Sequence, residues 1–304
     1  MNTKTKLAML IMSSISAWFG LQAWLTQAGI HASSALAFNT ERYTLAALVM
    51  GGVCIVTRAK FTKQAVLGGF VVGVVFAFMI GLESQALSNG SAGRVTFLGS
   101  LFVAITPFLA YLVRSEKLYP AAIIGSVIML VGAWQLLFRG AGSSIGDLYG
   151  ILRALTCAIM LLLVGRYAQA DWRVSSFINL TVVAIISFAG AVVTGQTQFS
   201  FQIDVLAPVM VSALLGSVVC VAAMTWSGRY LAGSLMGVLF FLDAPFAIIW
   251  GVLLFKTTFS ASSLIDYILI AIGAFFALTA GTLRLPQFSL LLVERLKFKR
   301  VSVE

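Results

Sequence analysis

The sequence predicts an all-α polytopic membrane protein with ten transmembrane helices, arranged as two inverted five-helix repeats. Composition is the first observation: of 304 residues, 60% are hydrophobic and only 10% are charged, and the mean hydropathy is +1.02. A soluble domain carries about 25% charged residues. The second observation is a series of apolar blocks of about 20 residues, each long enough to cross the hydrocarbon core as a helix. The third is a pattern that recurs in the two halves.

The apolar blocks are joined by short polar connections. The turn Arg114-Ser115-Glu116-Lys117 is too polar for lipid and too short to be a domain, and Pro120 follows it at a helix start. No extramembrane domain fits in connections of this length. The predicted spans cover residues 7–28, 34–57, 64–86, 91–113, 119–138, 146–167, 174–195, 205–227, 232–254 and 262–283.

A short segment of the first half recurs in the second. Gly99 to Pro107 and Gly237 to Pro245 have the same spacing, and each is followed by a helix with an internal Gly-Ala pair. Internal duplication is typical of secondary transporters. Because five spans per half is an odd number, the halves must have opposite orientations. The predicted units are residues 1–140 (first repeat), 141–285 (second repeat) and 286–304 (a basic cytoplasmic tail).

The distribution of Lys and Arg predicts the topology. With the N-terminus inside, 15 basic residues fall on the cytoplasmic side and two, Arg139 and Lys256, fall on the outer side. The positive-inside rule therefore predicts that both termini lie in the cytoplasm. The predicted location of the chain is the inner (plasma) membrane. The tail from Leu290 to Arg300 is basic and partly amphipathic, so it is either a stop-transfer tail or a segment lying on the inner leaflet.

Several classes of protein are disfavoured by the residues present. The net charge of +10 sits at helix ends and forms no single patch, so no nucleic-acid partner is predicted. The cysteines Cys54, Cys157 and Cys220 lie in apolar blocks without a disulfide framework or metal spacing. No metal, no cofactor and no enzymatic activity is predicted. The expected partners are a small-molecule substrate, the lipid bilayer and, as a hypothesis, protons.

The stretch from Ser91 to Phe138 resembles the EamA-type members of the drug/metabolite transporter superfamily. The matching residues include Ser91-Ala92-Gly93, Phe97-Leu98, Pro107-Phe108-Leu109-Ala110, Gly125 and Gly132. Arg42 in the second span and Gly146-Asp147-Leu148 at the start of the sixth span match as well. The resemblance implies a ten-helix carrier, commonly an exporter of metabolites or amino acids. It also implies a central cavity formed by spans 1–4 and 6–9.

Ionisable residues inside the spans are the main candidates for binding and coupling. Asp243 lies near the middle of span nine, where a carboxylate needs a wet cavity or a partner, so it is a candidate for proton coupling or amine binding. Arg153 in span six is a candidate counter-charge or carboxylate binder; the alternative is that it reaches outward to head groups. Glu41 and Arg42 point about 100° apart on span two, so both cannot face the cavity centre. Glu41 is a binding candidate, and Arg42 is predicted as a gate or structural ion-pair residue.

Other residues are candidates with a structural alternative. Glu83 and Arg94 flank an outer turn and are predicted to form a local ion pair, either static or acting as a gate. Trp18 and Gln22 share one helical face, and with Asn179 they are candidates for substrate contact; packing is the alternative. Pro107 and Pro245 are predicted to interrupt their spans as hinges, with a static kink as the alternative.

The function predicted from these observations is secondary active transport by alternating access, exporting a small polar or amphiphilic, amino-acid-like metabolite. Export follows from the family resemblance alone. A facilitative or exchange carrier is the nearest alternative, because only one deep acid is present. A membrane-embedded enzyme or a channel is disfavoured, because the sequence shows neither a His/Asp/Glu cluster nor a continuous polar stripe.

Overall fold

The computed structural model describes residues 3–113, 118–139, 145–198, 203–231, 233–257 and 261–279. Within these ranges the chain is helical and contains no strand. The predicted turn at 114–117 and the predicted basic tail at 286–304 lie outside the described residues. The all-α prediction is confirmed for the described part of the chain.

The helices follow the predicted apolar blocks closely. Their bounds are α1 (Thr3–Ala32), α2 (Ala35–Val56), α3 (Lys63–Asn89), α4 (Ala92–Gly99), α5 (Phe102–Leu112), α6 (Pro120–Arg139), α7 (Ile145–Arg166), α8 (Trp172–Thr194), α9 (Ile203–Val211), a π-helix, π1 (Ser212–Val219), α10 (Cys220–Ser227), α11 (Gly233–Phe240), α12 (Asp243–Phe255) and α13 (Ala261–Thr279).

The helices are those of a multi-pass membrane protein. Six segments of the described chain are long and apolar enough to cross a bilayer, and three shorter apolar helices accompany them. Large apolar side chains are exposed on the outward faces of the helices, among them Leu48, Ile55, Val127, Val193 and Leu253. An apolar surface of this extent is suited to lipid contact and unsuited to water.

Two of the helical segments are broken in the middle, but the break does not fall at the proline. Ser100 and Leu101 separate α4 from α5, and Pro107 is the sixth residue of α5. Phe241 and Leu242 separate α11 from α12, so Pro245 is the third residue of α12. Pro245 lies in the first turn of α12, so it removes an N–H that has no intrahelical partner in any case, whereas Pro107 lies in the second turn of α5 and removes one intrahelical bond there. The prediction that each proline itself interrupts its span is therefore corrected: the breaks lie upstream.

Glycine allows several helix pairs to pack with their backbones close together. On α3, Gly69 and Gly73 lie against Ser175 and Asn179 of α8, where the absence of side chains lets the two helices approach closely. Gly20 of α1 lies against the backbone of α12. Elsewhere α3 packs on α7, α2 packs on α8, and α6 packs on α13.

The connection before α8 is fixed by a local ion pair. Asp171 caps the helix by accepting the N–H of Arg173, and its carboxylate also binds the Arg173 guanidinium at 2.6 Å. This hydrogen-bonded guanidinium holds the pKa of Asp171 below its ordinary value. Because Arg173 also donates to the carbonyl of Thr57, the pair ties the start of α8 to the end of α2.

Candidate functional site

A narrow cavity at the centre of the helix bundle collects most of the buried charge. Its wall is formed by α1, α2, α3, α4, α7, α10, α11 and α12, and its enclosed volume is about 20 Å³. A cavity needs about 10–15 Å³ to hold one water molecule, so in this conformation the space has room for about one water molecule and not for a larger one. The charged residues in its wall are Arg42, Glu83, Arg153 and Asp243, and its apolar part includes Phe19, Phe76, Phe240, Met79, Met160 and Met224.

One ion pair in the cavity joins the two halves of the sequence. Arg153 of α7 is 4% exposed, and its Nη2 lies 3.2 Å from Oε1 of Glu83 on α3. Gly99 of α4 leaves room for this side chain, because a Cβ at that position would collide with the guanidinium. The alternative in which Arg153 reaches outward to head groups is therefore wrong. Arg153 and Asp243 face the same cavity but form no ion pair with each other.

Asp243 begins α12 directly after the helix break. Asp243 is 2% exposed, and its carboxylate makes no ion pair with any described residue. A helix N-terminus favours a carboxylate, which helps to hold this acid at a buried position. The break between α11 and α12 therefore has a local consequence: it presents a helix start, with an acid on it, to the cavity.

A hydrogen-bonded network covers the opposite side of the cavity. The Gln22 amide donates to Thr26 Oγ1 at 2.9 Å and to Ser212 Oγ at 2.8 Å. Arg42 Nε donates to Ser217 Oγ at 2.9 Å. Both serines belong to π1, where the wider i→i+5 turn brings Ser212 and Ser217 to one face; Ser217 Oγ also donates to the Ser212 carbonyl. Single π-turns of this kind occur often at functional sites.

Several buried polar atoms at the cavity have no hydrogen-bond partner among the described residues. They are Gln22 Oε1, Arg153 Nε, Arg153 Nη1 and Asp243 Oδ1. Buried polar atoms are nearly always hydrogen-bonded, and an unsatisfied one costs about 1–3 kcal/mol. The set contains donors and acceptors, so a small molecule that carries both would satisfy it.

Polar contacts close the bundle at the end where α1, α3 and α4 meet. Gln27 donates to the carbonyls of Leu87 and Gly90 and accepts the N–H of Ala92, so one side chain holds the α3–α4 turn. Beside it, Arg94 binds Asp147 through two contacts of 2.6 and 2.8 Å. Like the pair in the cavity, this one joins the two halves.

The predicted ion pair between Glu83 and Arg94 is wrong. The two residues are close in sequence, but each finds its partner on α7: Arg94 binds Asp147, and Glu83 binds Arg153. The physical reason is that α7 packs along both α3 and α4, which brings it closer to each side chain than they are to one another. Asp147 thus has a role that sequence reasoning assigned to no residue, although Gly146-Asp147 was one of the matching motifs.

The structure brings together only some of the predicted site residues. Asp243, Arg153, Gln22, Arg42 and Glu83 line the cavity. The others do not line it: Trp18 packs against the main core, Asn179 lies at the α3–α8 contact, Glu41 is half-buried on α2, and Arg94 lies at the closed end. The roles of Thr26 and Gln27 were not predicted. Both are uncharged polar residues of α1, and the sequence does not show which neighbouring helix they contact.

Comparison with known proteins confirms the resemblance seen in the sequence. The model of the EamA-like transporter family matches residues 6–138. An uncharacterized transporter from Archaeoglobus fulgidus is 22% identical over 220 residues, which is 72% of this chain and 68% of that protein. A solved structure described only as the crystal structure of a protein has a TM-score of 0.70 at 18% identity, covering 92% of this chain and 98% of that one. At such identity the structural likeness shows the fold alone.

Proposed function

Because residues 6–138 match the model of the EamA-like transporter family, we propose that the chain is a secondary active transporter of this family for a small, polar or amphiphilic, amino-acid-like metabolite. The observation that carries this proposal is the set of unsatisfied polar atoms around one central cavity. Arg153 Nε and Nη1 offer donors to a carboxylate, whereas Gln22 Oε1 and Asp243 Oδ1 offer acceptors to an amine. A zwitterion presents both complementary groups.

The proposed architecture is two inverted five-helix repeats, residues 1–140 and 141–285. The packing supports it, because several of the main helix contacts recur when the halves are exchanged. α1 packs on α11 and α12, and its counterpart α7 packs on α4 and α5. α3 packs on α7, and its counterpart α10 packs on α1. Gly132 of α6 and Gly273 of α13 occupy matching positions, and each lies in the contact between these two helices.

Transport is proposed to proceed by rocking of the two repeats about the cavity, which opens it to each side in turn. Two observations support this mechanism. The cavity is small in this conformation, and two ion pairs join the halves, so both pairs would separate or rearrange as the repeats move. The segments before Pro107 and Pro245 are the proposed hinges, because both helices are broken there.

The proposed location is the inner (plasma) membrane with both termini in the cytoplasm, on the strength of the 15-to-2 distribution of Lys and Arg. Export is the proposed direction. A facilitative or exchange carrier is the second candidate, and one observation favours it: Asp243 is the single cavity acid without an ion-pair partner, so only one residue is placed for proton coupling.

Asp243→Asn separates coupled transport from exchange. Asparagine keeps the shape of the side chain but can carry no proton, so transport driven by a pH gradient should fall to the rate without a gradient, while counterflow persists. Purified protein in proteoliposomes with a panel of radiolabelled neutral amino acids supplies the measurement. Asp171→Asn is the matched control, because Asp171 lies outside the cavity at the start of α8. Full gradient-driven transport by Asp243→Asn would refute proton coupling through this residue.

The substrate class is tested by thermal unfolding of the purified protein with amino acids, their amides and their N-acetyl derivatives. The amide lacks the carboxylate and the N-acetyl compound lacks the cationic amine. The proposal expects at least one amino acid to stabilise the protein more than either of its blocked derivatives. Stabilisation by sugars or by apolar cations, with no response to any amino acid, would contradict it.

A further inference from the structure

Arg42 is a buried cation that forms no ion pair with any described residue. The residue is 3% exposed on α2. Its two hydrogen-bond partners are neutral hydroxyls: Nε donates to Ser217 at 2.9 Å, and Nη1 reaches Thr26 at 3.5 Å. A buried charge without a partner is strongly unfavourable, so an arrangement of this kind needs a reason.

The surroundings hold the guanidinium in one orientation and leave one edge of it free. Its central carbon lies 4.8 Å from the centroid of the Tyr43 ring, which packs beneath it. Ser217 of π1 fixes the Nε side. Nη2 makes no hydrogen bond to a described residue, and it lies beside Gly216, where a Cβ would stand 3.3 Å away. A Cβ at Gly216 would also collide with Gln22 Oε1, so glycine at this position of π1 leaves room for the Gln22 amide beside Nη2.

Of the two cations in the cavity wall, Arg42 is the one that forms no ion pair with a described residue. Arg153 and Glu83 neutralise one another at 3.2 Å. Asp243 is the remaining acid. It lies on α12 in the second half of the chain, whereas Arg42 lies on α2 in the first half. The cavity wall thus contains one ion pair, a separate cation from the first half (Arg42) and a separate acid from the second half (Asp243).

We propose that Arg42, positioned by Ser217 and Thr26, is an anion-binding subsite of the central cavity. The ligand chemistry is a small monovalent anion that accepts hydrogen bonds from Nη2, either the carboxylate of a carried substrate or a free halide ion. This inference deepens the proposed function and rests on it in the substrate case, where the carboxylate lies at Arg42 and a cationic amine lies at Asp243. Arg42 and Arg153 then both donate to that carboxylate, and Arg153 contributes its unsatisfied Nε and Nη1.

The test uses the full chain, purified in detergent, and measures its thermal unfolding as sodium lactobionate is replaced by sodium acetate or sodium chloride at constant ionic strength. Lactobionate is too bulky for the cavity. The wild type should be stabilised saturably by at least one of the two small anions. In Arg42→Gln the half-saturating concentration should rise about 10- to 100-fold, since hydrogen bonds to a charged group contribute that much. Arg42→Lys, which keeps the charge, should recover part of the response.

Two further readouts keep the test decisive. In lactobionate alone, Arg42→Gln should unfold at the same temperature as the wild type or higher, because it removes a charge that lacks a partner. Arg173→Gln, on a partly exposed arginine at the start of α8, is the matched control and should respond to anions like the wild type.

The outcomes separate the sources of the anion and separate this inference from the proposed function. A response to acetate that a neutral amino acid competes away identifies the substrate carboxylate; a response to chloride alone identifies a halide site. Both support the subsite. If neither anion gives a saturable shift, or if Arg42→Gln responds like the wild type, the subsite is overturned. Transport of the amino-acid panel in proteoliposomes reports on the proposed function independently of these results.

Discussion

Replacing Arg153 by methionine is expected to lower the free energy of unfolding by about 3–5 kcal/mol and to abolish stabilisation by substrate. The guanidinium is 4% exposed and lies 3.2 Å from Glu83. Methionine fills a similar volume but carries no charge, so Glu83 and Asp243 are left in a narrow cavity without this cation. Removal of one partner from a buried pair is more costly than removal of both.

The double variant Arg153→Met/Glu83→Gln distinguishes the ion pair from other effects of the substitution. Because it leaves no unpaired charge at this point of the cavity, it should recover most of the lost stability. It should not recover substrate binding, since the Arg153 donors remain absent. Chemical unfolding of the purified protein gives the first quantity, and thermal stabilisation by the amino-acid panel gives the second. A single variant as stable as the wild type would show that the pair does not hold the two halves together.

Gly20→Ala is expected to be the most disruptive change of a single methyl group. A Cβ at Gly20 would lie 2.6 Å from Ala247 N, 2.7 Å from the Asp243 carbonyl oxygen and 2.8 Å from Phe246 C. All three are backbone atoms of α12, so no side chain can rotate away and the two helices must separate. Overpacking costs about 1–3 kcal/mol, and more where a backbone must move. Since Asp243 lies at the contact, substrate binding should weaken as well.

Gly52→Ala is the matched control for this variant. A Cβ at Gly52 meets nothing within 4 Å, and alanine has the higher helix propensity, so α2 should be unchanged or slightly stabilised. Thermal unfolding and retention of the monodisperse protein in detergent compare the two. If Gly20→Ala and Gly52→Ala unfolded at the same temperature, α1 and α12 would not be packed as closely as described.

The sequence predicts which polar residues lie inside the long apolar segments better than it predicts which way their side chains point. Hydropathy places Asp243, Arg153 and Gln22 far from the helix ends, and all three line the cavity. Trp18 shares a helical face with Gln22, yet the cavity meets α1 only around Phe19 to Ala23. Trp18 lies one turn before Gln22 on α1 and packs against the core. Contact with the cavity depends on where helices cross, and periodicity does not contain that information.

Partners of charges are likewise set by tertiary packing. Glu83 and Arg94 are separated by a short turn, so proximity in sequence favours pairing them, but α7 supplies a closer partner to each. The breaks before Pro107 and Pro245 and the π-turn at Ser212–Val219 have a similar origin. Near the second break, the Leu239 carbonyl accepts a hydrogen bond from the Ser16 hydroxyl of α1, and local composition does not reveal a partner of this kind.

The central claim is that the cavity around Ala23 is opened to the two sides of the membrane in turn. It is tested most directly with a single cysteine at Ala23, in a variant whose three native cysteines are replaced by alanine, labelled with a membrane-impermeant thiol reagent from either face. Ala23 lines the cavity, and a cysteine at the outward-facing Leu48 is the control. The account predicts labelling of the Ala23 cysteine from both faces, slowed by substrate, and no labelling at Leu48. A cysteine at Ala23 that reacts from neither face, or from one face only under every condition, would contradict alternating access.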